Sequence, residues 1–324
     1  MTPADNQVYD SALELIGNTP IVRLNRLAAD ADSEVLVKLE YLNPTGSIKD
    51  RIALEMINQA EKEGALKKGD TIIESSTGNT GISLAAVGKL KGYKVVIYET
   101  MPGKAGYVKT KIMRNLGADV KLMEPESPEG PGDRSIAGAE VELPGRQRCL
   151  DLENTDDKTW WARQFSNEYN TKAHHKTAEE ILEQTGYRVD VFVASIGTGG
   201  TLFGVAEVLK QKLPLVKIIG IQPASSKTVL SPGMDYQATE IKGGIISEML
   251  NNGGVIDEIV RVSDRDARDM AHSLWKEEGL YAGVSSGANV HIALQEAKKH
   301  KNQTVVTVLP DRIDRYITEE RFVT

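Results

Sequence analysis

Lys49 lies in the segment Asn43-Pro44-Thr45-Gly46-Ser47-Ile48-Lys49-Asp50-Arg51, where an extended stretch gives way to a helical pattern. Ser47 is a good N-cap residue, which puts Lys49 in the first turn beside unpaired backbone N–H groups. A cation is disfavoured at that end of a helix dipole. As an imine to a carbonyl compound the lysine loses much of that penalty, so the placement suits an amine that carries a cofactor. Two further segments also lie between a strand and a helix, and a third precedes a helix. Ser75-Ser76-Thr77-Gly78-Asn79-Thr80-Gly81 offers four hydroxyls and an amide at a helix start, a receptor for a carboxylate. Gly197-Thr198-Gly199-Gly200-Thr201 lets backbone approach a phosphate and adds hydroxyl donors. It lacks the lysine of a nucleotide P-loop, and there is no dinucleotide fingerprint, so the phosphate is that of a small cofactor. Gly283-Val284-Ser285-Ser286-Gly287-Ala288 presents a serine pair before a helix. Each segment alone has an ordinary explanation: a solvated lysine, a capping loop, a glycine turn, a serine cap.

The elements that must position these residues alternate between strand and helix. Strands are expected at 34–40, 71–74, 93–98, 119–123, 189–194, 216–221, 258–262 and 304–309. Helices are expected at 47–63, 80–91, 108–116, 201–212, 264–278 and 286–299, with Gly64 and Gly92 as stops. Apolar strands with little polar alternation, separated by amphipathic helices, indicate parallel sheets covered on both faces. The stretch from Glu124 to Gly145, with Pro125, Pro128, Pro131 and Pro144, reads as a long surface excursion inside an irregular middle. Two α/β lobes that change over near that stretch are the simplest architecture.

The bulk numbers exclude several classes. A chain of 324 residues has room for one large or two moderate cores. A net charge of −7 argues against nucleic acid or an anionic membrane as partner. The single cysteine, Cys149, rules out an intramolecular disulfide and fits a reducing, cytoplasmic setting; it reads as a small buried side chain. The opening MTPADNQVYD has neither the basic nor the apolar part of a signal peptide, and no apolar run reaches membrane-spanning length.

Taken in order, NPTGSIKDR, SSTGNTG, GTGGT and GVSSGA resemble the fold type II pyridoxal-phosphate enzymes. Within these, the chain is similar to the O-acetylserine sulfhydrylases (cysteine synthases) and cystathionine β-synthases, and LELIGNTPIVRLNRL is similar to their opening. The resemblance implies two lobes, each a mostly parallel sheet covered by helices. Residues 47–158 would form a small mobile lobe that grips substrate; 1–46 and 159–324 would form the large lobe that binds pyridoxal 5'-phosphate. Lys49 matches the Schiff-base lysine, and Asn79 the residue that bonds the cofactor's ring oxygen. Gly197, Thr198, Gly199, Gly200 and Thr201 match the phosphate cup, and Ser285 the partner of the pyridine nitrogen. Ser76, Thr77, Gly78 and Thr80, with Gln164, match the group that holds the substrate carboxylate. No metal is implied.

A serine rather than a carboxylate at the pyridine nitrogen can leave the ring neutral, a weaker electron sink that suits elimination of a leaving group better than transamination. The implied activity is β-replacement on an activated serine, O-acetylserine or O-phosphoserine, with sulfide to give cysteine, by a homodimer. Alternatives on the same scaffold are replacement by homocysteine or an amino group, a serine or threonine dehydratase, and a catalytically idle relative. Three departures bear on substrate. Lys242-Gly243-Gly244-Ile245-Ile246-Ser247 stands where sulfhydrylases carry a glycine-rich loop, Thr177-Ala178-Glu179-Glu180-Ile181 lacks the usual glycine, and the stretch 102–159 is long. The ending LPDRIDRYI resembles that of siderophore-pathway relatives, so Arg312 and Arg315 are either solvated, structural, or ligands of an anionic substrate. Lys227, beyond the strand at 216–221, is an ordinary loop lysine or a holder of a phosphate leaving group.

Overall fold

The computed structural model describes residues 8–99, 104–123, 143–224, 245 and 255–316. Six strands form the larger sheet: β1 (Ile21–Arg23), β2 (Glu34–Lys38), β7 (Val191–Ser195), β8 (Lys217–Pro223), β9 (Glu258–Val262) and β10 (Thr304–Val308). Their spatial order is β1-β2-β10-β7-β8-β9, parallel except for β1 against β2. The smaller sheet is parallel throughout, in the order β5 (Asp119–Leu122), β4 (Lys94–Glu99), β3 (Thr71–Ser75), β6 (Thr159–Trp161). Helices α1 (Lys49–Glu63), α2 (Asn79–Leu90), α3 (Lys104–Asn115), α4 (Leu143–Thr155), α5 (Glu168–Thr185), α6 (Gly200–Lys212), α7 (Asp264–Glu278) and α8 (Val284–Lys299) complete the regular structure.

All five residues of β10, Thr-Val-Val-Thr-Val, are buried, as a central parallel strand with helices on both faces requires. Its two faces feed two cores. Val305 packs with Val35, Val37, Val193 and Ile219 under α8, while Val306 and Val308 pack with Phe192, Ile218 and Leu202 under α6. A fully buried Val, Leu or Ile contributes about 1.5–3 kcal/mol. Around the smaller sheet, Ile52, Met56 and Ile57 of α1 join Ile72, Val95 and Ile97 in a separate core.

The largest difference from the sequence reading is in the middle of the chain. Residues expected to be irregular form α5, an 18-residue helix capped by Asn167, whose side chain accepts from the Tyr169 N–H, and closed by Gly186 at φ 61°. Its inward residues include Asn170, Thr171, His174, Thr177, Glu180 and Thr185, so the apolar stripe that marks a core helix is broken. α4 likewise begins inside the stretch read as an excursion; 124–142 lies outside the described residues. α1 starts at Lys49 rather than Ser47, and the Ser47 hydroxyl accepts from the Lys49 N–H at 3.3 Å.

Candidate active site

Lys49 is carried by a heavily tied loop. After β2 a short turn of 3-10 helix, Glu40–Leu42, leads into the Asn43–Ile48 loop. The Asn43 side chain donates to the Glu40 carbonyl at 2.7 Å, and the Ile48 N–H donates to the Pro310 carbonyl at 2.8 Å. Next to Lys49, the buried Asp50 carboxylate accepts from the Thr45 N–H at 2.7 Å, from the Ser83 hydroxyl at 2.6 Å and from the Thr45 hydroxyl. Burial pushes Asp50 above the ordinary carboxylate range against the pull of those bonds.

Two residues on from Lys49, and so on the opposite side of the helix, Arg51 anchors α1 in a buried ion network. Its guanidinium donates to Glu40 at 2.6 Å and to Glu180 at 2.7 Å, and Lys38 meets Glu180 at 2.8 Å. Burial opposes the charge on Glu180, but hydrogen bonds and attraction from Arg51, then Lys38, outweigh it and hold the carboxyl at about 2. The helix that presents Lys49 is thereby fastened to β2 and α5.

The second wall lies at the carboxyl end of β7. Gly199, at φ 92°, turns the chain into α6, whose first amides have no side-chain cap. Thr198 is buried, and its hydroxyl oxygen accepts from the Asn170 amide at 3.0 Å. His174 sits behind, with Nε2 at 3.1 Å from the Thr201 hydroxyl and Nδ1 at 3.2 Å from that of Thr177. Burial, then the nearby positive charges of Lys49 and Arg51, hold His174 well below its ordinary value, so it is neutral at pH 7.

These walls enclose a cavity of about 180 Å³ where β7 and β10 end against the first turns of α1 and α2. Lys49, Asn79, Gly197, Thr198, Gly199, Thr201 and Ser285 all line it, together with Ile48, Ser195, Val308, Pro310, Asp311 and Tyr316. Gly200 stands behind the wall. A side chain there would put its Cβ 2.0 Å from Oδ1 of the Asn170 side chain. Ser76, Thr77, Gly78, Thr80 and Gln164 form an adjoining cluster. The Thr80 hydroxyl donates to Gln164 Oε1 at 2.6 Å, and Gln164 Nε2 donates to the Ser75 carbonyl at 2.9 Å. The Ser76 oxygen accepts from the Gly78 and Gly81 amides at 3.2 and 3.1 Å, so it braces its own loop. Asn170 joins the two groups, because its Nδ2 also donates to the Gln164 carbonyl at 2.6 Å.

Asn170 and His174, four apart on α5, are site residues that no motif marks; polar side chains repeating on the inward face of that helix are the available signal. Asp311 and Tyr316 reach the cavity from the ending that the sequence singled out. Of the two arginines there, Arg312 is exposed and pairs with Asp314 at 3.2 Å, whereas Arg315 is buried and donates to Asn79 and to the Thr45 carbonyl. Cys149 is buried, and burial pushes its thiol well above the ordinary value, an inert position. Lys227 and the 242–247 loop other than Ile245 lie outside the described residues.

An amine, a glycine-and-threonine cup at an uncapped helix start and a serine hydroxyl on one cavity define an enzyme site for a small phosphorylated carbonyl compound. The cup fits such a group physically: a Cβ built at Gly197, on the cavity wall, meets nothing within 4 Å, and the donors are those phosphate prefers. The family described as "pyridoxal-phosphate dependent enzyme" matches residues 12–311. The cysteine synthase of Staphylococcus aureus (strain Mu50 / ATCC 700699) is 40% identical over 314 residues, 95% of this chain and 96% of its own. Among solved structures, the cysteine synthase of Entamoeba histolytica superposes with a TM-score of 0.83 at 33% identity, covering 100% of this chain and 94% of that one. A hydrogen sulfide-producing enzyme of Fusobacterium nucleatum gives 0.78 at 34% identity, covering 96% and 99%. The chain belongs to the pyridoxal-phosphate dependent enzymes, with the type II fold, and its cofactor is pyridoxal phosphate. Among the described residues no helix is long and apolar enough to cross a membrane, and no cluster of three His, Cys, Asp or Glu is placed to hold a metal.

Proposed function

We propose that this enzyme makes L-cysteine by β-replacement, exchanging the leaving group of O-acetylserine or O-phosphoserine for sulfide. The observation that carries the reading is that Lys49, Asn79, Ser285 and the Gly197–Thr201 cup, from four distant segments, meet in one place. It is supported by the cysteine synthases among its relatives. Gly197, Thr198, Gly199, Gly200 and Thr201 would hold the cofactor's phosphate, Asn79 its ring oxygen, Ser285 its pyridine nitrogen and Lys49 its carbonyl carbon. When bound, pyridoxal phosphate supplies an electron sink for charge developing at the substrate α-carbon.

The remaining work belongs to the chain. Lys49 Nζ, on the cavity wall, would accept the α-proton as general base. Ser285, an uncharged hydroxyl, adds no formal charge beside the pyridine nitrogen, which favours loss of a β-leaving group. The Ser76–Thr80 loop and Gln164 receive the substrate carboxylate at the start of α2, where backbone amides and the helix dipole favour an anion. A smaller lobe of residues 47–158 closes over that carboxylate and excludes water; strand β6, just beyond it, joins the same sheet. The enzyme works as a homodimer in the cytoplasm, a setting consistent with one buried, unpaired cysteine.

The test is to supply sulfide with O-acetylserine, O-phosphoserine or serine in turn and quantify cysteine. Cysteine from one of the two activated serines is expected. Failure with both, alongside product when homocysteine or an amino acid replaces sulfide, would assign the enzyme to another β-replacement.

A further inference from the structure

The segment Pro310–Tyr316 touches the loop before Lys49, the residue before α8 and the Asn79 side chain. Its Pro310 carbonyl accepts from the Ile48 N–H at 2.8 Å, and Asp311 bridges Ser47, just before Lys49. The Asp311 carbonyl accepts from the Gly283 N–H at 2.8 Å, two residues before Ser285. The side chains reach Asn79. Asn79 Nδ2 donates to Asp311 Oδ2 at 2.7 Å, and the Arg315 guanidinium donates to Asn79 Oδ1. The Tyr316 hydroxyl donates to the same Asp311 oxygen at 2.6 Å.

A guanidinium can only donate and a carboxylate can only accept. The Asn79 amide is therefore readable in one orientation only, because a flip would face N–H to N–H and oxygen to carboxylate. Both contacts are charge-assisted, the stronger kind of hydrogen bond. Arg315 is 5% exposed and Asp311 1%, so neither is a solvated charge. We propose that Asp311 and Arg315 are positioning residues that lock the Asn79 amide, leaving its second Nδ2–H to meet an oxygen on the bound cofactor ring. The inference rests on the proposed role of Asn79 and adds how that role is set.

The experiment measures affinity of the apo-protein for pyridoxal phosphate, and the pH dependence of visible absorbance of the holoenzyme. The variants are Asn79→Ala, Arg315→Ala, the double variant and Arg315→Lys. Losing a charge-assisted contact weakens affinity about ten- to a hundredfold. Arg315→Ala should approach the loss seen with Asn79→Ala and shift the same absorbance transition. The double variant should be within about twofold of Asn79→Ala alone, since Arg315 acts through Asn79. Arg315→Lys, which keeps the charge but not the fork that spans Asn79 and Thr45, should fall between. Additive losses, or an unaltered Arg315→Ala, overturn the positioning role. An unaltered Asn79→Ala overturns instead the reading of Asn79 on which it rests. If Arg315→Ala does not fold, Arg315→Lys with and without Asn79→Ala gives the same cycle, and additivity there is equally decisive.

Discussion

Glu180→Gln removes one charge from the network that fastens the Lys49 helix while keeping the side chain's shape. In the native protein four buried charges, Lys38, Glu40, Arg51 and Glu180, sum to zero. Glu180 accepts from Arg51 at 2.8 and 2.7 Å, from Lys38 at 2.8 Å and from the Asn18 N–H at 3.0 Å. The variant leaves two cations facing one carboxylate. Holding Glu180 at about 2 rather than the ordinary 4.5 is worth about 3 kcal/mol at neutral pH. Breaking a buried ion pair costs about 3–5 kcal/mol, the same order. Urea unfolding at pH 7 should show a midpoint lower by about 1 M. The folded value is depressed, so the native advantage is full above about 4.5 and is lost as pH falls toward about 2. The midpoint gap between native protein and variant should therefore narrow on acidification across that window. Adding Lys38→Met to the variant should recover stability, because it removes the stranded ammonium. A midpoint change below about 0.2 M at pH 7, or a gap that stays constant with acid, would refute the electrostatic reasoning.

Two other outcomes follow from contacts in the site. Thr80→Val deletes the 2.6 Å donor to Gln164 and should raise KM for the amino-acid substrate about tenfold with a smaller change in kcat; an unchanged KM would detach this pair from carboxylate binding. Gly204→Ala should lower the melting temperature. Its Cβ would lie 2.2 Å from the Thr171 carbonyl oxygen, so α5 and α6 must separate at a cost of about 1–3 kcal/mol. An unchanged melting temperature would show that this helix pair yields freely.

The parts of the site legible in the sequence are those that lie at a joint leading into a helix and marked by glycine and hydroxyl residues. Lys49, Asn79, Gly197–Thr201 and Ser285 all belong to such joints, and all but Gly200 line the cavity. Local pattern fails where a buried face is polar. α5 is invisible to local pattern because Asn170, His174 and Glu180 occupy positions that a core helix ordinarily fills with Leu or Val. Their partners, Thr198, Thr201 and Arg51, come from other elements, and only the fold shows that the polar face is satisfied. The sequence does not decide between solvent, structure and substrate for Arg315 for a similar reason. Its partner Asn79 is 236 positions away, beyond any spacing rule.

The most direct test of the site assignment is chemical. Native enzyme carrying its cofactor is reduced with borohydride, digested and mapped by mass spectrometry for the lysine that retains a pyridoxyl group. Lys49 should carry the label in full, and Lys49→Ala should bind the cofactor only reversibly and make no cysteine. A pyridoxyl group on any other lysine, or undiminished turnover by Lys49→Ala, would contradict the placement of the chemistry in this cavity.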